Sequence, residues 1–146
     1  VMNIEKYLRA PEVSKVDYPC QGIYFIRYED GSVSVVDEND KRINTPLRNF
    51  DVVQQLRFIG RLHGVPHFAY KACEYGNRFH PEYGMFDING HEKMFRDPRL
   101  CGLESVTEIE AEFKKLVDAS NDLSNPRRND EMLVDLSTGK SLEMER

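Results

Sequence analysis

Gly22-Ile23-Tyr24-Phe25-Ile26-Arg27-Tyr28, Glu29-Asp30-Gly31, Ser32-Val33-Ser34-Val35-Val36 holds the clearest β pattern in the chain. Two runs of β-branched and aromatic residues flank an Asp-Gly dipeptide, the composition of a tight hairpin. With a two-residue turn, Tyr24, Ile26 and Tyr28 share a face with Val33 and Val35 and leave Ser32 and Ser34 wet. A further turn at Asn39-Asp40-Lys41 returns the chain through Arg42-Ile43, which predicts a three-stranded meander. Outward from this core, Asn3 to Arg9 reads as a short helix stopped by Pro11. Downstream, Asn49 is a candidate N-cap with Asp51 in the first turn. Val52, Leu56, Ile59 and His63 follow at helical spacing, and Gly64 suits the position after a helix. The expectation is a helix of roughly 14 residues packed on the meander.

Val65 to Tyr75 reads as a strand, and Tyr83–Ile88, Asn89-Gly90, His91–Phe95 as a hairpin with the strongest short-range turn signal. Ser105-Val106-Thr107-Glu108 is a capping box, opening a helix with Val106, Ile109, Phe113, Leu116 and Val117 on one face. Residues 120–130 read as a mobile polar linker, and Met132 to Met144 as a C-terminal hairpin with Gly139 in its turn. The predicted class is therefore α+β, a single domain over residues 2–146. Its mainly antiparallel sheet is built from the meander, the Asn-Gly hairpin and the C-terminal hairpin, with two main helices packed on it.

The 146 residues carry a formal charge of −5, which argues against a nucleic-acid coat or a membrane-surface protein. The charge is unevenly spread. Residues 1–40 have four basic and eight acidic side chains, residues 41–103 ten and six, and residues 104–146 six and eleven. All four histidines fall in the basic centre. No apolar run reaches membrane-spanning length, and no membrane association is expected. Three widely spaced cysteines suggest no disulfide framework, so a reduced, cytoplasmic setting is expected.

No catalytic pattern in the sequence is complete. His63 and His67 have a spacing that zinc sites use, with Cys73 and His80 downstream. Gly64 and Pro66 break the chain between the two histidines, so no metal and no cofactor are expected. Cys73 or Cys101 beside His80 or His91 lacks the surroundings of a thiolate nucleophile. Gly22-Ile23-Tyr24 and Phe58-Ile59-Gly60 share letters with the GIY-YIG endonuclease motifs. That family sets its second motif on the strand paired with the first, which here is Ser32–Val36. Phosphate-binding glycine loops are absent.

What remains is the segment from His67 to Arg99, where Tyr, Phe, Arg and His interleave with glycine. That is the composition of a recognition surface. Arg78, His80 and Tyr83 around Pro81 are the first candidate binding residues, with His91, Arg96 and Arg99 beside them. The function expected is a small protein-interaction or regulatory protein of inhibitor or immunity type, leaning away from an enzyme. A hydrolase or nuclease acting on an anionic substrate through His80 or His91 with Arg78 is the alternative. A single-stranded nucleic-acid-binding module comes third. Another protein is the expected partner, with an anionic ligand at the basic centre or nucleic acid as further options.

Overall fold

The computed structural model describes residues 3–74, 77–96, 102–122, 133–138 and 140–141. Helix α1 (Ile4–Arg9) precedes strands β1 (Val13–Cys20), β2 (Ile23–Tyr28) and β3 (Val33–Asp37), which form an antiparallel sheet in that order. Strands β4 (Asp51–Leu62), β5 (Val65–Glu74), β6 (Glu82–Asp87), β7 (Glu92–Phe95), β8 (Leu133–Asp135) and β9 (Lys140–Ser141) form a second antiparallel sheet, also in chain order. Helix α2 (Val106–Asn121) lies between β7 and β8 in sequence. The class is α+β, built from hairpins.

The two sheets stack through Ile23, Phe25, Val33 and Val35 on one side and Val53, Phe68, Tyr70 and Phe86 on the other. The Phe25 and Phe68 rings meet edge to face, with centroids 5.6 Å apart, the geometry that aromatic quadrupoles favour. The opposite face of the six-stranded sheet packs on α2, where Ile59, Ala69, Met85 and Phe95 meet Val106, Ile109, Phe113 and Leu116. Ser105 caps α2 by accepting from the Glu108 amide. A third, smaller cluster puts Tyr7 of α1 against Ile26 and Val36 on the outer face of the first sheet.

The hairpin that opens the chain pairs Phe25 with Val35 and Arg27 with Val33. The loop is therefore three residues, Glu29-Asp30-Gly31, with Gly31 at φ +90° and not the two-residue turn expected from Asp-Gly. One extra loop residue reverses which face of β2 is shared with Val33 and Val35. Phe25, Val33 and Val35 point inward, while Tyr24, Ile26 and Tyr28 lie on the α1 side. The meander's third member also differs. It is β1, with a pairing that runs from Val13–Tyr28 to Cys20–Ile23, and Arg42 forms a single bridge to Val36.

The largest correction concerns residues 49–63, which form β4 and not a helix. Register against β5 slips between Val53 and Gln55 and again between Phe58 and Gly60. Each β-bulge adds one residue to the strand. The core-facing residues Val53, Leu56, Ile59 and Leu62 thus recur at a spacing of three that imitates a helical stripe. Asn49 caps nothing and instead accepts from Arg42 (2.8 Å). His63 and Gly64, at φ +52° and +79°, form the tight turn into β5. Helix α2 also runs further than expected, so Ser120 and Asn121 are helical and Ser120 is buried. Residues 123–130 of the expected linker lie outside the described residues. The C-terminal hairpin is present as β8 and β9, with Asp135 paired to Lys140. Phe58-Ile59-Gly60 lies on β4, which pairs with β5 and not with β2.

Two glycines with the same φ of +79° separate backbone strain from packing. A Cβ at Gly64 meets nothing within 4 Å, whereas one at Gly90 would overlap the Asn44 carbonyl oxygen. Gly64→Ala is expected to cost about 1 kcal/mol, the left-handed penalty alone. Gly90→Ala adds overpacking and is expected to cost about 2–4 kcal/mol by urea denaturation. Equal losses at the two positions would contradict this packing.

Candidate functional site

The sheet has two polar ends, and the sequence-derived candidates are divided between them. At one end the chain turns through Asn77–His80 between β5 and β6. The Asn77 amide donates to the Glu74 carbonyl (2.9 Å) and the His80 amide to the Asn77 carbonyl (3.4 Å). Arg78 and His80 are exposed here, and the Phe79 ring between them is 92% exposed. Among the described residues, the side chains of Arg78 and His80 make no hydrogen bond or ion pair. Phe50, just before β4, is 54% exposed.

Arg48 ties this end together. Its Nη2 donates to Asp51 Oδ1 (3.1 Å) and lies 3.5 Å from Glu74 and 4.0 Å from Glu82, the residues that close β5 and open β6. Its guanidinium also stacks 4.6 Å from the Phe50 ring centroid. Asp51 is buried and accepts from the Arg48 amide as well (2.7 Å). The result is an aromatic tip with a pinned arginine. Aromatic side chains offer large contact area at little entropic cost, and a stacked guanidinium is already ordered.

The other candidates lie elsewhere. Tyr83 is half-buried on the α2 side of β6, with the Lys71 ammonium 5.6 Å from its ring centroid. Arg96 follows β7 and is half-buried. Arg99 lies outside the described residues. His91 follows β6, so the strand separates it from Arg78 and His80.

His91 belongs to a second cluster. Lys93, with its side chain 2% exposed, sets Nζ 3.2 Å from Asp87 Oδ2 and 3.2 Å from Asp135 Oδ2. His91 Nδ1 is 3.1 Å from that same Asp135 oxygen and 3.9 Å from Asp87 Oδ2. The second oxygen of each aspartate caps a turn. Asp87 Oδ1 accepts from the Asn89 and His91 amides (2.9 and 3.1 Å), and Asp135 Oδ1 from the Ser137 amide and hydroxyl (2.9 and 2.7 Å). Burial pushes the Asp135 carboxyl up, but Ser137 and Lys93 together hold it below its ordinary value.

His67 completes this end. Its partner across the ladder is Asp87. The Ile88 amide bonds to the Pro66 carbonyl (3.0 Å), which makes His67–Asp87 the closer, non-hydrogen-bonded pair. His67 Nδ1 is 2.8 Å from the Val65 carbonyl, and the ring lies 4.9 Å from that of Phe113. Burial drives its pKa down to about 4, despite the pull of Val65 and Asp87 in the other direction. His67 therefore stays neutral at pH 7.

These positions bear on the metal question. His67 and Cys73 sit six residues apart on extended β5, about 20 Å, while His63 and His80 occupy turns at opposite ends of that strand. No group of three or more metal-ligating side chains occurs among the described residues. The sequence reading missed Phe50 and Arg48 because a helix was expected to start there. It also missed Asp87, Lys93 and Asp135, although alternation with Met85, Phe95 and Leu133 points them inward. No family model, curated protein or solved structure matches this chain.

Two measurements test the ionic end. An unfolded chain protonates its histidine near pH 6.5, but folded His67 does so only near pH 4. Protons thus favour the unfolded state across that interval, and stability should fall by up to about 3 kcal/mol as pH drops from 6.5 to 4. His67→Phe should flatten the slope in that window, and an unchanged slope would refute the assignment. Lys93→Met strands two buried carboxylates and should cost about 3–5 kcal/mol in urea denaturation. Adding Asp87→Asn and Asp135→Asn should recover most of that loss.

Proposed function

We propose that the chain is a protein-binding module, a small regulator of inhibitor or immunity type, whose contact surface is the aromatic tip. One observation carries this reading. Phe79 is 92% exposed on a four-residue turn, flanked by an arginine and a histidine with nothing in the described fold to bind. A fold has no use for a phenyl ring held in water, whereas an interface does. Hot spots are enriched in aromatic and Arg side chains that fill pockets on the partner. Phe50, with its stacked Arg48, extends the same end and is already ordered before a partner arrives. The described cysteines, Cys20 and Cys73, are free thiols, which supports a reducing, cytoplasmic setting.

The hydrolase alternative draws support from a different observation, the His91–Asp135 pair at 3.1 Å, an arrangement that orients an imidazole for proton transfer. It is the weaker reading. That imidazole belongs to a network in which Lys93 already offsets one carboxylate charge. The Arg78 and His80 side chains that the alternative needs lie beyond the far end of β6.

The test is cross-linked affinity capture with three forms of the full chain: wild type, Phe79→Ser, and Leu8→Ser as an exposed apolar control on α1. Both substitutions should leave stability within about 0.5 kcal/mol. A partner held by wild type and Leu8→Ser should lose about 30-fold in affinity with Phe79→Ser, the value of a hot-spot side chain. Identical capture by all three forms would sink the tip as the contact surface.

A further inference from the structure

Resting on the aromatic tip as the contact surface, we infer that its partner is a basic protein, with lysine or arginine side chains around the pocket that receives Phe79. In sequence Arg78 and His80 sit in the basic block, which suggests an anionic partner. In the fold, acidic residues from far upstream surround the same end. The Val53 amide donates to the Gly31 carbonyl (2.9 Å) and the Glu29 amide to the Glu12 carbonyl (2.8 Å). These bonds bring Glu12, Glu29 and Asp30 to one depression that Asn49, the neighbour of Phe50, also lines. From the other side, Glu74 and Glu82 reach Arg48. All five carboxylates are exposed.

The carboxylates at this end outnumber the arginines. Arg48 is shared among Asp51, Glu74 and Glu82. Arg27 is half-buried and donates to the Val53 carbonyl (2.8 Å), and Arg42, which lines the same depression, donates to Asn49. With Arg78 these cations face Asp51 and the five exposed carboxylates. Ser32 hydrogen bonds hold the Asp30 carboxyl below its ordinary value. Carboxylates are thus in excess at the end that carries Phe50 and Phe79, and the net charge of −5 adds to them at long range. A phosphate backbone or an acidic protein would be repelled from this surface. A basic protein would be steered toward it, with Phe79 supplying the apolar anchor.

The experiment pans a random-peptide phage library against the full-length chain, with counter-selection on Phe79→Ser. A fluorescent single-stranded oligonucleotide serves as a second probe. The expected clones require Phe79, are rich in Lys and Arg, and bind at least about tenfold more weakly after a tenfold rise in salt. They should also weaken about tenfold against the Glu12→Lys, Glu29→Lys double variant, whose positions are exposed. Clones that require Phe79 but are neutral or acidic would overturn the basic partner and leave the tip standing. So would oligonucleotide binding that depends on Phe79. An absence of Phe79-dependent clones, with no oligonucleotide binding, would overturn both.

Discussion

Water is excluded from both faces of β5. Phe68, Tyr70 and Ala72 point toward the first sheet, while His67 and Ala69 point toward α2. A strand buried on both faces needs a cover on each, and the layers follow from that requirement. The three-stranded sheet supplies one cover and α2 the other. Burying a large apolar side chain is worth about 1.5–3 kcal/mol, so Phe25, Phe68 and Phe86 on one side and Phe113 on the other hold the layers in place. Tyr70 shows how tight the first interface is. Its hydroxyl lies over Gly84, where a Cβ would come within 2.5 Å of it, and it reaches Glu92 at 3.2 Å.

The same two-sided demand explains which elements could be read from sequence. Strand β5 was legible because a continuous apolar run bounded by turn signals suits a strand buried on both faces. The Ser105 cap was legible because it depends on local chemistry alone; the Asn-Gly hairpin was legible as a hairpin, although Phe86 pairs with Glu92 and its loop is the three residues Ile88-Asn89-Gly90, not the two-residue Asn-Gly turn. Strand β4 was not. It serves the sheet-to-sheet core through Val53, Leu56 and Phe58, then the α2 core through Ile59 and Leu62. Two bulges accomplish the change, and bulges destroy the period of two on which a strand is recognised. Gly60, at φ +132° opposite His67, also leaves room for the Phe113 ring. Nothing within residues 49–63 announces that ring, since it arrives from 50 residues away. The meander's register was missed for a smaller reason: Asp-Gly serves two-residue and three-residue loops alike.

Charge presents the opposite problem, because the pattern was visible and the residue types argued against it. Alternation puts Asp87 with Met85, Lys93 with Phe95 and Asp135 with Leu133, all facing α2. Charged side chains seldom occupy such positions, and a buried ion pair seldom adds stability over an apolar substitute. Its contribution here is geometric. Each aspartate spends one oxygen on its own turn and the other on Lys93, so three strand ends are held in one register. Strand β8 contributes only three residues to the ladder, too few to define its register by backbone bonds alone. The ionic end is therefore best understood as alignment of the sheet.

That assignment bears on where function resides. Pairing thins the basic block that sequence counting reveals. Lys93 goes to Asp87 and Asp135, Arg57 to Glu110 on α2, and Arg48 to Asp51, Glu74 and Glu82. A linear charge count therefore identifies cations without saying which of them a partner can still reach. Arg78 is reachable because its turn projects beyond the sheet, and Phe79 is exposed for the same reason. Neither core gains from that ring, and among the described residues no ion pair anchors its neighbours. The reading proposed above puts the partner on this turn, where covering an exposed phenyl ring contributes most.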